Sequence, residues 1–94
     1  MQTVTVKNPF VGKEIYGPLA DYRDTITFEI CYPGFRSDPN APYAILQEEN
    51  FEDPLDVFGV MIWGPTPEQA AQRYVEYIRE AYEVYYDEHG KVAA

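Results

Sequence analysis

One stretch decides the fold of this chain: residues 57–88, which read VFGVMIWGPTPEQAAQRYVEYIREAYEVYYDE. Its first seven residues, 57–63, are continuously apolar. Such a run predicts a strand that is covered on both faces or lies centrally in a sheet. The Gly-Pro-Thr-Pro sequence that follows ends this strand and separates it from a long helix.

The helix has clear sequence signals at both ends. Thr66 suits the N-cap position, Pro67 suits the first helical position, and Gln69 completes a Thr-x-x-Gln capping box. No helix-breaking residue occurs over residues 68–89. The sequence therefore predicts a helix over this range, with Gly90 as its left-handed C-cap.

Because a helix turns by about 100° per residue, its side chains divide between two faces. One face is apolar and is predicted to pack on the sheet; it consists of Ala71, Tyr74, Val75, Ile78, Tyr82 and Tyr85. The opposite face carries the acidic stripe, which we define as Glu76, Glu80, Glu83 and Asp87.

The acidic stripe has two interpretations. Most runs of charge are solvated helix surface without a function. However, the stripe contains two like-charge i,i+4 pairs, each of which destabilises a helix by roughly 0.2–0.5 kcal/mol. Its C-terminal members also lie where the helix dipole favours cations by roughly 0.3–1 kcal/mol. A helix selected only for stability would carry lysine there, so binding of a partner is the second interpretation.

The charge of the chain is large and uneven. The 94 residues include 16 acidic and 7 basic side chains, which gives a net charge of −9. Residues 1–47 carry five acidic and four basic side chains (net −1), whereas residues 48–94 carry eleven and three (net −8). Such a field repels nucleic acid and anionic membranes, and it speeds association with basic partners. We therefore expect no direct binding of nucleic acid or membrane.

The first half of the chain contains three main strand candidates and one shorter one. Residues 1–7 predict a short edge strand, and residues 43–47 predict another short strand. Residues 25–32 alternate most cleanly, which predicts one face in the core and one in solvent. Residues 8–24 predict mainly a loop, with a brief strand around residues 14–16.

These elements predict an α+β fold. The expected architecture is a small, mostly antiparallel sheet of three or four strands, with one long C-terminal helix packed on one face. The whole chain, residues 1–94, is expected to form a single compact domain whose last residues, 90–94, are frayed.

Catalytic and metal chemistry find little support in the sequence. The one histidine, His89, lies at the helix end, and the one cysteine, Cys31, has no histidine near it in sequence. Zinc would need more ligands of these types, and no EF-hand order of calcium ligands is present. We therefore expect no enzyme activity, metal or cofactor. A single cysteine also fits a reducing, cytoplasmic location.

The sequence thus predicts a small acidic binding protein, a monomer or small homo-oligomer, that blocks a basic surface on a nucleic-acid-handling protein or complex. Phage-encoded anti-restriction and anti-CRISPR proteins are inhibitors of this kind, and some act as nucleic-acid mimics. Two alternatives remain open: an immunity protein for a basic nuclease toxin, and an accessory subunit that binds through its exposed sheet face. The predicted partner-binding residues outside the stripe are Glu48, Glu49, Glu52, Asp53, Tyr77 and Tyr86.

Overall fold

The computed structural model describes residues 2–34, 40–47 and 55–89. The predicted α+β architecture is confirmed: a four-stranded antiparallel sheet, ordered β1-β2-β3-β4, lies against one long C-terminal helix, α1. The elements are β1 (Gln2–Lys7), β2 (Thr25–Cys31), β3 (Tyr43–Ile45), β4 (Ile62–Trp63) and α1 (Pro67–His89). The predicted C-cap Gly90 and the predicted fraying of residues 90–94 lie outside the described residues.

Alternation along β2 separates the two faces of the sheet, as predicted. Ile26, Phe28 and Ile30 are buried, whereas Thr25 and Thr27 are exposed. The antiparallel register with β1 continues this division, since the half-buried valines of β1 lie opposite buried residues of β2 and the threonines lie opposite threonine or glutamate. One face of the sheet therefore carries the core, and the other carries mainly polar side chains near β1.

The apolar face of α1 covers that core. Of its six predicted residues, Tyr85 is half-buried and the other five are buried. The ring of Tyr74 packs on the ring of Phe28, with 5.1 Å between their centroids. At the start of the helix, the backbone N–H of Gln69 donates to Oγ1 of Thr66 at 3.2 Å, so the predicted N-cap is confirmed.

The apolar run at residues 57–63 is not the continuous strand that the sequence predicts, because only Ile62–Trp63 forms a strand. Asp56 and Gly59 have φ angles of 60° and 79°, in a region that a strand does not use. The N–H of Gly59 donates instead to the carbonyl of Leu46 at 2.9 Å. The run is therefore mostly a loop.

This loop is held in the core by a hydrogen bond from the helix. Val57 is fully buried, and its carbonyl accepts a hydrogen bond from the hydroxyl of Tyr74 at 2.6 Å. Most of the apolar side chains of the run thus pack in or against the core rather than extend the sheet, whereas Met61 and Trp63 are exposed.

The connection between β1 and β2 also differs from its prediction. Residues 14–16 form no strand; Glu14–Asp21 is a 3-10 helix interrupted at Gly17, whose φ is 53°. The buried side chain of Asn8 holds this segment, since its Nδ2 donates to the carbonyls of Leu19 (3.3 Å) and Arg23 (2.9 Å). These hydrogen bonds span long stretches of sequence and leave no periodic signal.

Gly64 permits the close approach of the chain to the start of α1. A Cβ atom at this position would lie 2.2 Å from the backbone nitrogen of Ala70 and 2.5 Å from its Cα. Both atoms belong to the helix backbone, so no side-chain rotation can relieve the overlap.

We expect Gly64→Ala to lower the free energy of unfolding by at least about 3 kcal/mol, near the upper end of the usual overpacking cost. Gly34→Ala is the control: Gly34 has a φ of +76° and no atom of the described residues within 4 Å of its added Cβ, so only backbone strain of about 1 kcal/mol is expected. Denaturant unfolding measures both values. Equal losses in the two variants would contradict the close approach.

Candidate functional site

The acidic stripe lies on the solvent side of α1. The helix buries its apolar face against the sheet, and all four carboxylates of the stripe are consequently exposed. From Glu76 to Asp87 the stripe extends about 16 Å along the helix axis at 1.5 Å per residue. The structure thus brings together the four residues in one row, as helical periodicity predicts.

One end of the stripe is partly neutralised. The Nη1 atom of Arg79 lies 2.5 Å from Oε1 of Glu76, and this hydrogen bond raises the pKa of Arg79 above its usual value. Gln72 also donates to the same Oε1 atom from Nε2 at 3.4 Å. Within residues 2–34, 40–47 and 55–89, Arg79 is the only cation at ion-pair distance from the stripe.

Glu83 connects the stripe to the 3-10 helix. The hydroxyl of buried Tyr16 donates to Oε1 of Glu83 at 3.4 Å. Burial raises the pKa of Tyr16 above the usual 10.0, and the negative charge of Glu83 raises it further. Glu83 is therefore held at the flank of the helix, while Glu80 and Asp87 extend into solvent.

The two tyrosines predicted to bind a partner differ in their surroundings. Tyr77 is half-buried, and its ring meets the ring of Tyr74 edge-on at 6.0 Å, so part of its surface belongs to the core. Tyr86 is 43% exposed and offers more of its ring to a partner. The predicted second acidic patch lies outside the described residues; it consists of Glu48, Glu49, Glu52 and Asp53.

A shallow apolar groove beside the stripe was missed by the sequence reasoning. It has a volume of about 290 Å³ and is lined by Tyr77, Glu80, Ala81 and Val84. Val84 is 54% exposed, although it is an apolar residue next to the buried face. The i, i+3, i+4, i+7 spacing of these residues is the signal in the sequence that could have identified a second, flanking apolar strip.

His89 lies at the end of α1, as the sequence predicts. His89 contacts the ring of Tyr85, with 4.7 Å between centroids, and its Nε2 lies 3.7 Å from a carboxylate oxygen of Glu88. In the described part of the chain, no group of three or more His, Cys, Asp or Glu side chains is arranged to hold a metal ion. None of the helices described there has the length and apolar character needed to cross a bilayer.

Comparisons with protein-family models, curated proteins and solved structures find no match for this chain.

The contact between Tyr16 and Glu83 predicts a pH dependence of stability. Since folding raises the pKa of Tyr16, its contribution to stability is complete below the pKa of the unfolded chain. This contribution is lost as the pH rises through the ordinary tyrosine value near 10 toward the folded value. We expect the free energy of unfolding to fall more steeply with rising pH in the wild type than in Tyr16→Phe, by denaturant titration between about pH 9 and 11.

The comparison of the wild type with Tyr16→Phe cancels the effects of the other tyrosines and of general charge repulsion, because both proteins share them. The same slope in both proteins would show that Tyr16 ionises alike in the folded and unfolded chain.

Proposed function

We propose that this protein is a non-enzymatic inhibitor that binds a basic, nucleic-acid-binding surface of a partner protein and blocks it. The acidic stripe supplies the charge, as a mimic of or competitor for nucleic acid. An anti-restriction or anti-CRISPR protein of a phage is the kind of inhibitor that this description fits, and a cytoplasmic location belongs to the same proposal.

The observation that carries the proposal is the exposure of a row of carboxylates with which, in the described part of the chain, one cation pairs. Four carboxylates share one solvent-facing side of α1, and Arg79 pairs with Glu76. The stripe covers about 16 Å, the axial length of about five nucleotides of a B-form strand at 3.4 Å each. Basic grooves that hold a phosphate backbone are complementary to such a row in both charge and length.

The apolar groove beside the stripe adds contact area. Interfaces have an apolar centre and a polar rim, and tyrosine is enriched among the residues that contribute most to binding. Tyr77 and Val84 lie in this groove, directly beside Glu80. A partner bound to the stripe would therefore also bury apolar surface, which charge alone does not provide.

The test is a pull-down from host lysate with three forms of the protein. The stripe variant replaces Glu76, Glu80 and Glu83 by Gln and Asp87 by Asn. A matched control removes the same charge from exposed positions outside the stripe; it replaces Glu14 by Gln and Asp21, Asp24 and Asp56 by Asn. Wild type and control are expected to capture the same nucleic-acid-binding protein, and the stripe variant at least about tenfold less of it.

Two further measurements test the mode of binding. Raising the salt from about 0.1 M to about 1 M shortens the screening length from about 10 Å to about 3 Å, so the captured protein should be released. An excess of duplex DNA or of RNA should release it as well, because the proposed inhibitor occupies the nucleic-acid groove. Capture that is equal for all three forms and insensitive to salt would contradict the proposal.

That contrary outcome would favour the accessory-subunit alternative, for which the sheet offers a specific observation. On the face opposite the helix, Tyr43 lies across from Trp63, and Ile45 lies across from Glu29. Trp63 is 41% exposed. This apolar end of the open face would then be the interface, and Trp63→Ala rather than the stripe variant would abolish capture.

A further inference from the structure

The two edges of the sheet differ in how they are protected. β4 has only two residues, is followed by Gly64 and Pro65, and has the guanidinium of Arg73 over the ring of Trp63 at 4.7 Å. β1 has six residues and no proline or bulge. Short strands, prolines and covering groups are the usual means of preventing edge pairing. Among the described residues, only the β1 edge offers a long unpaired strand.

The register of β1 shows which of its backbone groups are free. The N–H of Asn8 donates to the carbonyl of Asp24 at 2.8 Å, one residue beyond the Lys7–Thr25 pair. Hydrogen-bonded pairs alternate along an antiparallel ladder, so the even-numbered residues of β1 bond to β2. The residues that direct backbone N–H and C=O groups to the free edge are Thr3, Thr5 and Lys7.

We propose that β1 pairs with β1 of a second copy of this chain, antiparallel about a two-fold axis at Thr5, to form a continuous eight-stranded sheet. Thr5 then lies opposite Thr5 of the second copy, and Thr3 lies opposite Lys7. This register uses all three outward residues of each strand in hydrogen-bonded pairs. A register centred on Val4 would leave Lys7 without a strand partner among the described residues.

The side chains of the two strands match in this register. On the core face, half-buried Val4 lies beside Val6 of the second copy, which joins the two apolar cores. On the open face, the hydroxyls of Thr5 and Thr27 lie 2.9 Å apart. In the joined sheet, the same two residues of the second copy lie next to them. Lys7 lies opposite Thr3 of the second copy. Within that copy, Thr3 of β1 lies opposite Glu29 of β2. Each Lys7 therefore faces a carboxylate across the axis.

The charge distribution also favours this edge for self-association. Pairing uses a strand from the half of each chain that carries a net charge of −1 rather than from the half that carries −8. Because the axis is perpendicular to the sheet, both copies of α1 lie on the same side. Added salt screens the remaining repulsion between two acidic chains, so dimerisation should strengthen with salt. Binding of a basic partner should instead weaken with added salt. Because salt acts on the two processes in opposite directions, failure of one proposal can be distinguished from failure of the other.

Sedimentation and amide hydrogen exchange on the full chain test the proposal. The sedimenting mass is expected to rise toward that of a dimer with protein concentration, and further with salt. The amides of Thr3, Thr5 and Lys7 are expected to gain protection over the same concentration range. The amides of Val4 and Val6 should be protected throughout, because they bond within the monomer.

Thr5→Pro removes the outward N–H at the axis without removing a bond to β2, and an edge strand tolerates proline at such a position. This variant should stay monomeric with an unchanged circular dichroism spectrum. Thr5→Val keeps the N–H and is the matched control, which should dimerise like the wild type.

A charge exchange tests the register by a route that does not depend on proline. Lys7→Glu and Glu29→Lys should each weaken the dimer at least about tenfold, and the double variant should restore it. A chain that stays monomeric at all concentrations, with the three outward amides unprotected, would overturn the proposal and leave the edge open to a strand of another protein. Dimerisation unaffected by any of these variants would overturn it as well.

Discussion

The close packing of α1 on the sheet is the constraint on which the rest of this structure depends. It begins at Gly64, where the absence of a side chain lets the chain lie against the backbone of Ala70. It continues through Tyr74, whose ring contacts Phe28 and whose hydroxyl holds the carbonyl of Val57. Once this face of the helix is fixed, the opposite face is fixed as well, and the acidic stripe must point into solvent.

The parts of the fold that could be predicted from the sequence are those with a period. Alternation over β2 and the 3.6-residue spacing along α1 each identify a buried face without knowledge of any partner. The prediction for residues 57–63 was wrong because an apolar run does not by itself determine the backbone conformation. The left-handed φ angles of Asp56 and Gly59 make most of this run a loop. Asp and Gly adopt such angles more readily than most residues, but neither residue type requires them.

The candidate site also has parts that could be predicted from the sequence and parts that could not. The row from Glu76 to Asp87 follows from helical geometry alone, so its exposure could be predicted. The contact of Tyr16 with Glu83 joins residues 67 positions apart, through a 3-10 segment whose place is set by the buried amide of Asn8. No local pattern contains such a contact. The groove at Val84 is lined by residues of α1 alone, and their helical spacing is visible in the sequence.

The position of Arg79 makes the two ends of the acidic stripe electrostatically different. Near Glu76 the field is weakened by this cation, whereas Asp87 and Glu88 lie at the end of α1 where the backbone carbonyls add their own partial negative charge. Among the described residues, the negative charge of the stripe is therefore offset more at Glu76 than at Asp87. A cationic surface that approaches the stripe would therefore have a preferred orientation, with its most basic end toward the helix C-terminus. Long-range electrostatic attraction would favour this orientation before the two surfaces make contact.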